Sequence, residues 1–228
     1  MEEIHVLYNT RSSFIIIIAM LMAGFTGIRY AYANIFRNTY QPVALFSFKP
    51  MAEQGAGIKL LSTENILITL LLSGSLSFST LIFGRHFGFT DDIIPNSFVG
   101  ILFAWLLLLG AIGLLFLLKF IFLALAGWLF DYPLAQSAHY QEYQSMSHVF
   151  NFFFALTLGL GLIGMSQLSD PFMEAMAYVY LGFFILRQVI LLLRLYVKGG
   201  YTIYYIFSYL CTTELIPWII CIGILRSR

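Results

Sequence analysis

Residues 98–126 read FVGILFAWLLLLGAIGLLFLLKFIFLALA, a run of 29 residues in which Lys119 is the sole charged side chain. A transmembrane helix needs about 20 mostly apolar residues, so this run is long enough to cross a bilayer. At a rise of about 1.5 Å per residue it would extend about 43 Å, which exceeds the hydrocarbon thickness. We expect a single helix that tilts strongly or continues into an interfacial stretch. A break near Lys119, giving two half-passes, is the alternative.

The composition of the whole chain agrees with this interpretation. Of its 228 residues, 60% are hydrophobic and 10% are charged, whereas soluble domains are about 45–50% apolar and about 25% charged. The net charge of +1 leaves no basic surface large enough to neutralise many phosphates, so we expect no nucleic-acid partner. The sequence therefore predicts a single integral membrane domain over residues 1–228.

Five further apolar runs accompany this one, so we predict an all-α, polytopic transmembrane bundle of about six spans. The spans are predicted at 13–34, 64–84, 98–126, 147–167, 173–196 and 202–225. Tight turns are expected at SDPF, residues 169–172, and at KGG, residues 198–200.

The basic residues of the short loops predict the orientation of the bundle. Residues 35–63 carry Arg37, Lys49 and Lys59, and the 197–201 turn carries Lys198. Short loops rich in lysine and arginine face the cytoplasm, so we expect these two loops on that side. Two arginines at the C-terminus, Arg226 and Arg228, argue for the opposite placement of that end, which stays open.

Two charges in the last two apolar runs predict an intramembrane ion pair. Arg187 lies 12 residues before Gly199, and Glu214 lies 15 residues after it. In an antiparallel hairpin turning at Gly199, their α-carbons would lie about 18 and 22 Å from the turn, at nearly equal depth. We therefore predict that Arg187 and Glu214 pair.

The predicted pair has two interpretations. It is either a lock that fixes the register of the hairpin or a working site, as intramembrane charges often are. Thr212 and Thr213 are candidates to bond the backbone or cross helices, and Pro217 frees a carbonyl one turn earlier and favours a kink.

Small and hydroxyl residues predict where helices pack closely. In the second run Ser73, Ser77 and Thr80 share one helical face. A pore lining is the alternative interpretation of these residues, although they form no charged ring or selectivity filter. The same expectation of close packing applies to the glycines at Gly110, Gly113, Gly159, Gly161 and Gly164.

Metal and catalytic signatures are missing from the sequence. His139, Glu142, His148 and Asp131 do not supply a recognised metal-ligand spacing, and a hydrated or interfacial loop is the better interpretation of this segment. There is no GxSxG, no Walker A sequence and no GxGxxG in a βαβ context. We therefore expect no enzyme activity, no metal and no cofactor.

The C-terminal run YTIYYIFSYLCTTELIPWIICIGIL, residues 201–225, resembles the C-terminal signature of a family of bacterial membrane proteins. That family is the domain-of-unknown-function 4271 group of the Bacteroidota. The shared positions are Tyr209, Leu210, Cys211, Glu214 and Pro217. The resemblance implies a multi-pass helical bundle in the inner membrane of a Gram-negative bacterium, and it implies no activity.

These features together favour a non-enzymatic membrane subunit or scaffold. The loops are too small to act alone, and the small-residue faces suit helix partners. We expect the protein to contact the lipid bilayer and other membrane or envelope proteins, in envelope assembly or secretion. The alternative function is a small transporter or channel that uses Arg187 and Glu214.

Overall fold

The part of the chain that the computed structural model describes is helical throughout, and it comprises residues 2–32, 63–89, 94–95, 97–129, 146–164 and 169–199. It contains five helices and no strand, which confirms the all-α class for these residues. The helices are α1 (Glu2–Ala31), α2 (Thr63–His86), α3 (Phe98–Leu129), α4 (His148–Gly164) and α5 (Asp170–Gly199).

Four of these helices are long and apolar enough to cross a membrane. Their apolar stretches are Ser12–Ala31, Ile66–His86, Phe98–Ile121 and Asp170–Leu193. The fourth predicted span forms α4, which is apolar but has only 17 residues. The sixth predicted span, 202–225, lies outside the described residues.

α3 is one continuous helix of 32 residues, so the break considered near Lys119 does not occur. At about 1.5 Å per residue it is about 48 Å long, even longer than the sequence predicts. α1 also exceeds its predicted span, because the helix begins at Glu2, ahead of the apolar stretch that begins at Ser12.

Local hydrogen bonds fix where α2 ends and where α3 begins. The Phe89 N–H donates to the Gly84 carbonyl (2.8 Å), and the Gly88 N–H donates to the Arg85 carbonyl (3.1 Å). This is the Schellman arrangement, which needs a left-handed residue, and Gly88 supplies it with a φ of 73°. At the start of α3, the Gly100 N–H donates to Ser97 Oγ at 3.0 Å, so Ser97 is the N-cap.

Residues of both turns predicted around α5 are part of the helix. The helix includes Asp170 and Pro171, which were expected in a turn, and it continues through Gly199. Proline fits the first turn of a helix because the N–H groups there have no intrahelical acceptor. The residues after Gly199 lie outside the described ranges.

α2 is the central helix of the described bundle. In its most apolar stretch 61% of the residues are buried, against 11% in the corresponding stretch of α3. α1 runs antiparallel to α2, since Phe14 meets Phe78 with 5.8 Å between ring centroids and Gly24 lies beside Leu71. α3 and α4 also pack against α2.

α4 joins α1 and α5 to the bundle through aromatic rings. Phe25 of α1 stacks on Phe152 of α4 with 4.1 Å between ring centroids. On the other side of α4, Phe150 stacks on Phe183 of α5 at 3.5 Å, and Phe154 contacts Tyr180 at 5.2 Å. These two pairs show that α4 and α5 are antiparallel.

Candidate functional site: buried polar residues of α2, α4 and α5

The serines of α2 are the most deeply buried polar residues of the central helix. Ser73, Ser75 and Ser77 are fully buried, and Ser79 is nearly so. Thr80 is exposed, so the face predicted to include it is not buried along its whole length. Because the serines alternate along the helix, they point to several sides of α2 rather than to one.

Three of these serines bond to their own helix. The hydroxyls of Ser75, Ser77 and Ser79 donate to the carbonyls four residues earlier, at 2.9, 2.6 and 3.0 Å. A buried hydroxyl without a partner costs free energy, and these bonds remove that cost inside α2.

Ser73 lies at the α2–α3 interface. Its Oγ is 3.7 Å from the position that a Cβ at Gly113 would occupy. This Oγ is buried and has no hydrogen-bond partner among the described residues. Gly113 of α3 therefore lies beside the buried hydroxyl of Ser73, whereas the side-chain position at Gly110 has no neighbour within 4 Å.

The glycines predicted on α4 have different surroundings. A Cβ at Gly159 would lie 2.8 Å from Ile18 Cγ1 and closer still to Ile18 Cδ1. The close approach of α1 to α4 at this point is therefore possible because Gly159 has no side chain. Gly161 is half-buried, and Gly164 is exposed with no atom within 4 Å of its side-chain position.

A hydrogen bond that the sequence analysis missed joins α2 and α3. The indole N–H of buried Trp105 donates to the Gly74 carbonyl at 3.1 Å. A Cβ at Gly74 would lie 3.0 Å from Leu21 Cδ2 and 3.5 Å from Leu109 Cδ1. The available signal was the glycine between two serines in LLSGSLS, since glycine within a transmembrane helix often marks close approach.

Arg187 is buried in α5, with 6% of its surface exposed. Its place follows from the ring contacts between α4 and α5. Phe183 stacks on Phe150, and Arg187 lies one helical turn after Phe183. Ser147 lies nearly one turn before Phe150, so the antiparallel register brings Arg187 level with Ser147.

The start of α4 carries further buried polar residues. Ser147, His148 and Asn151 are all buried. The Asn151 Nδ2 group donates to the Ser147 carbonyl at 2.7 Å. Asn151 Oδ1 is buried and has no hydrogen-bond partner in the described part of the chain. His148 is fully buried as the first residue of α4, which agrees with the predicted span 147–167 that included it and not with its grouping in a hydrated or interfacial loop.

The remaining members of the predicted site lie outside the described residues. These are Glu214, Thr212, Thr213 and Pro217. The Arg187–Glu214 pair therefore stays a prediction, and the structure shows only that Arg187 is buried.

A contact between a histidine and a carboxylate joins α2 to α5. His86 Nε2 lies 3.3 Å from Asp170 Oδ1, and the Asp170 side chain is 87% exposed. The residues are 84 positions apart, so no local pattern predicted the contact. It shows that the end of α2 and the start of α5 lie at the same end of the bundle.

Two observations bear on whether the described residues could bind a metal ion or a small molecule. Within the described ranges, no three His, Cys, Asp or Glu residues are placed to hold a metal ion. A cavity of about 10 Å³ lies between α1 and α4, and its lining is entirely apolar: Ile18, Leu21, Met22, Phe152, Ala155 and Leu156. This space is too small for a substrate, and apolar cavities stay dry.

Comparisons with known proteins identify a family without supplying an activity. No curated protein and no solved structure matches the chain. Residues 14–225 match the family described as "Domain of unknown function (DUF4271)". That match runs from the apolar stretch of α1 to the end of the last apolar run and so covers nearly the whole sequence. The chain belongs to the DUF4271 family.

Proposed function

We propose that the protein is a non-enzymatic, multi-pass subunit or scaffold of the bacterial inner membrane. It associates there with other membrane or envelope proteins, in envelope assembly or secretion. The observation that carries the proposal is the close packing around α2. Three of its buried serine hydroxyls bond to their own helix, and a cavity between α1 and α4 is small and apolar. These features favour a packed subunit over a conduit.

The outer surface of α3 supports the same proposal. Large apolar side chains are exposed along this helix, from Val99 through Phe103 and Leu115 to Trp128. In a membrane this surface faces lipid or another helix, and association in lipid depends on packing between such surfaces. A subunit with small loops has little other surface for a partner.

We infer six crossings, with α4 as one of them. α4 is about 26 Å long, slightly less than the hydrocarbon thickness of about 30 Å, and a short helix is accommodated by local thinning of the bilayer. The His86–Asp170 contact supports this count. α3 leads away from the end where α2 finishes, and α4 must return to that end for Asp170 to meet His86. Residues 202–225 supply the sixth crossing.

The orientation and membrane follow from the charges and the family. The loop 35–63 carries Arg37, Lys49 and Lys59, and Lys198 lies in the last turn of α5, so we propose that both segments face the cytoplasm. The end of the bundle with His86 and Asp170 then faces the periplasm. The inner membrane is the location that the family resemblance implies.

Purification from native membranes tests the function. The tagged protein is extracted in a mild detergent and in native lipid particles, and the complexes are weighed by mass spectrometry. We expect a companion protein at fixed stoichiometry. A photo-crosslinking residue at exposed Phe103 should react with that companion, and the same residue at buried Ile101 is the control. A monomer without a companion in every condition would contradict the proposal.

A transporter or channel is the second candidate, and the burial of Arg187 favours it. The guanidinium lies level with the buried polar start of α4, and intramembrane charges are commonly functional. In this case Glu214→Gln would abolish a cellular phenotype while leaving protein level and stability unchanged. A loss of stability would instead favour a structural pair.

A further inference from the structure

We draw no further inference here: the strongest candidate, the row of small residues spaced four apart along the exposed side of α1 from Ala19 to Ala31, has the spacing at which transmembrane helices pair, but nothing in the described part of the chain shows what covers it.

Discussion

The contact between Gly159 and Ile18 predicts that a single methyl group at position 159 destabilises the bundle. An alanine Cβ would lie 2.8 Å from Ile18 Cγ1 and closer to Cδ1. Isoleucine is stiff at χ1 because it is β-branched, so Ile18 must leave its rotamer or α1 must move away from α4. Overpacking of this kind costs about 1–3 kcal/mol.

Alanine also stabilises a helix relative to glycine, by about 0.5–1 kcal/mol, and this term must be separated from the overpacking. Gly182→Ala in α5 is the matched control, since Gly182 is within a helix and has no atom within 4 Å of its side-chain position. We expect Gly159→Ala to be less stable than Gly182→Ala by the overpacking cost of about 1–3 kcal/mol.

The free energy of unfolding is measured by reversible unfolding with SDS in mixed micelles, and tryptophan fluorescence reports the folded fraction. Ile18→Ala removes both atoms that crowd position 159, so adding Gly159→Ala to that variant should cost less than adding it to the wild type. Such non-additivity is the signature of two residues in contact. Equal stability of Gly159→Ala and Gly182→Ala, with additive effects in the Ile18→Ala background, would refute the packing of α1 on α4.

Three further predictions concern the ion pair, the topology and the indole hydrogen bond. Arg187→Gln and Glu214→Gln should each lower stability, by up to about 3–5 kcal/mol, because each removes one member of the predicted buried pair and leaves the other charge without it. The double variant should recover part of this loss in the same SDS titration. A cysteine placed at Ser169 should react with a membrane-impermeant maleimide from outside, and one placed at Gly200 should not. Trp105→Phe should cost about 0.6–1.5 kcal/mol of unfolding free energy through the lost bond to Gly74, whereas Trp128→Phe, at an 81% exposed position, should cost almost nothing.

Each of these predictions has an outcome that contradicts it. If the double variant loses as much stability as the Arg187 and Glu214 single variants together, the two side chains do not interact. Labelling at Gly200 but not at Ser169 would reverse the orientation, and labelling at both would change the number of crossings. Equal effects of the two tryptophan substitutions would mean that the indole bond contributes no stability.

The helices themselves were predictable because lipid offers the backbone no hydrogen bonds. Long apolar runs in a membrane must therefore be helical, and the runs at 64–84 and 98–126 became α2 and α3. Their shared boundary also has local causes, the glycine at Gly88 and the serine at Ser97. The start of α1 at Glu2 was missed because hydropathy marks the membrane-crossing stretch and not the helix end.

The candidate site was only partly predictable. The hairpin arithmetic for Arg187 and Glu214 stays a prediction, because Glu214 lies outside the described residues, whereas Arg187 is buried within the apolar stretch of α5. His148 was included both in the predicted span 147–167 and in the polar segment before it, and its burial, which decides between the two, depends on helices distant in sequence. The His86–Asp170 contact was not predicted for the same reason. It depends on how three helices cross the bundle, and no spacing in the local sequence indicates that arrangement.

The serine bonds within α2 also bear on how the protein enters the membrane during synthesis. A helix inserted from the translocation channel meets lipid before its later neighbours exist, and each unsatisfied polar group then opposes insertion. Ser75, Ser77 and Ser79 carry their acceptors with them, one turn back along the same helix. The helix that becomes the centre of the bundle can therefore partition into the bilayer early, and α3 and α4 can assemble around it as they emerge.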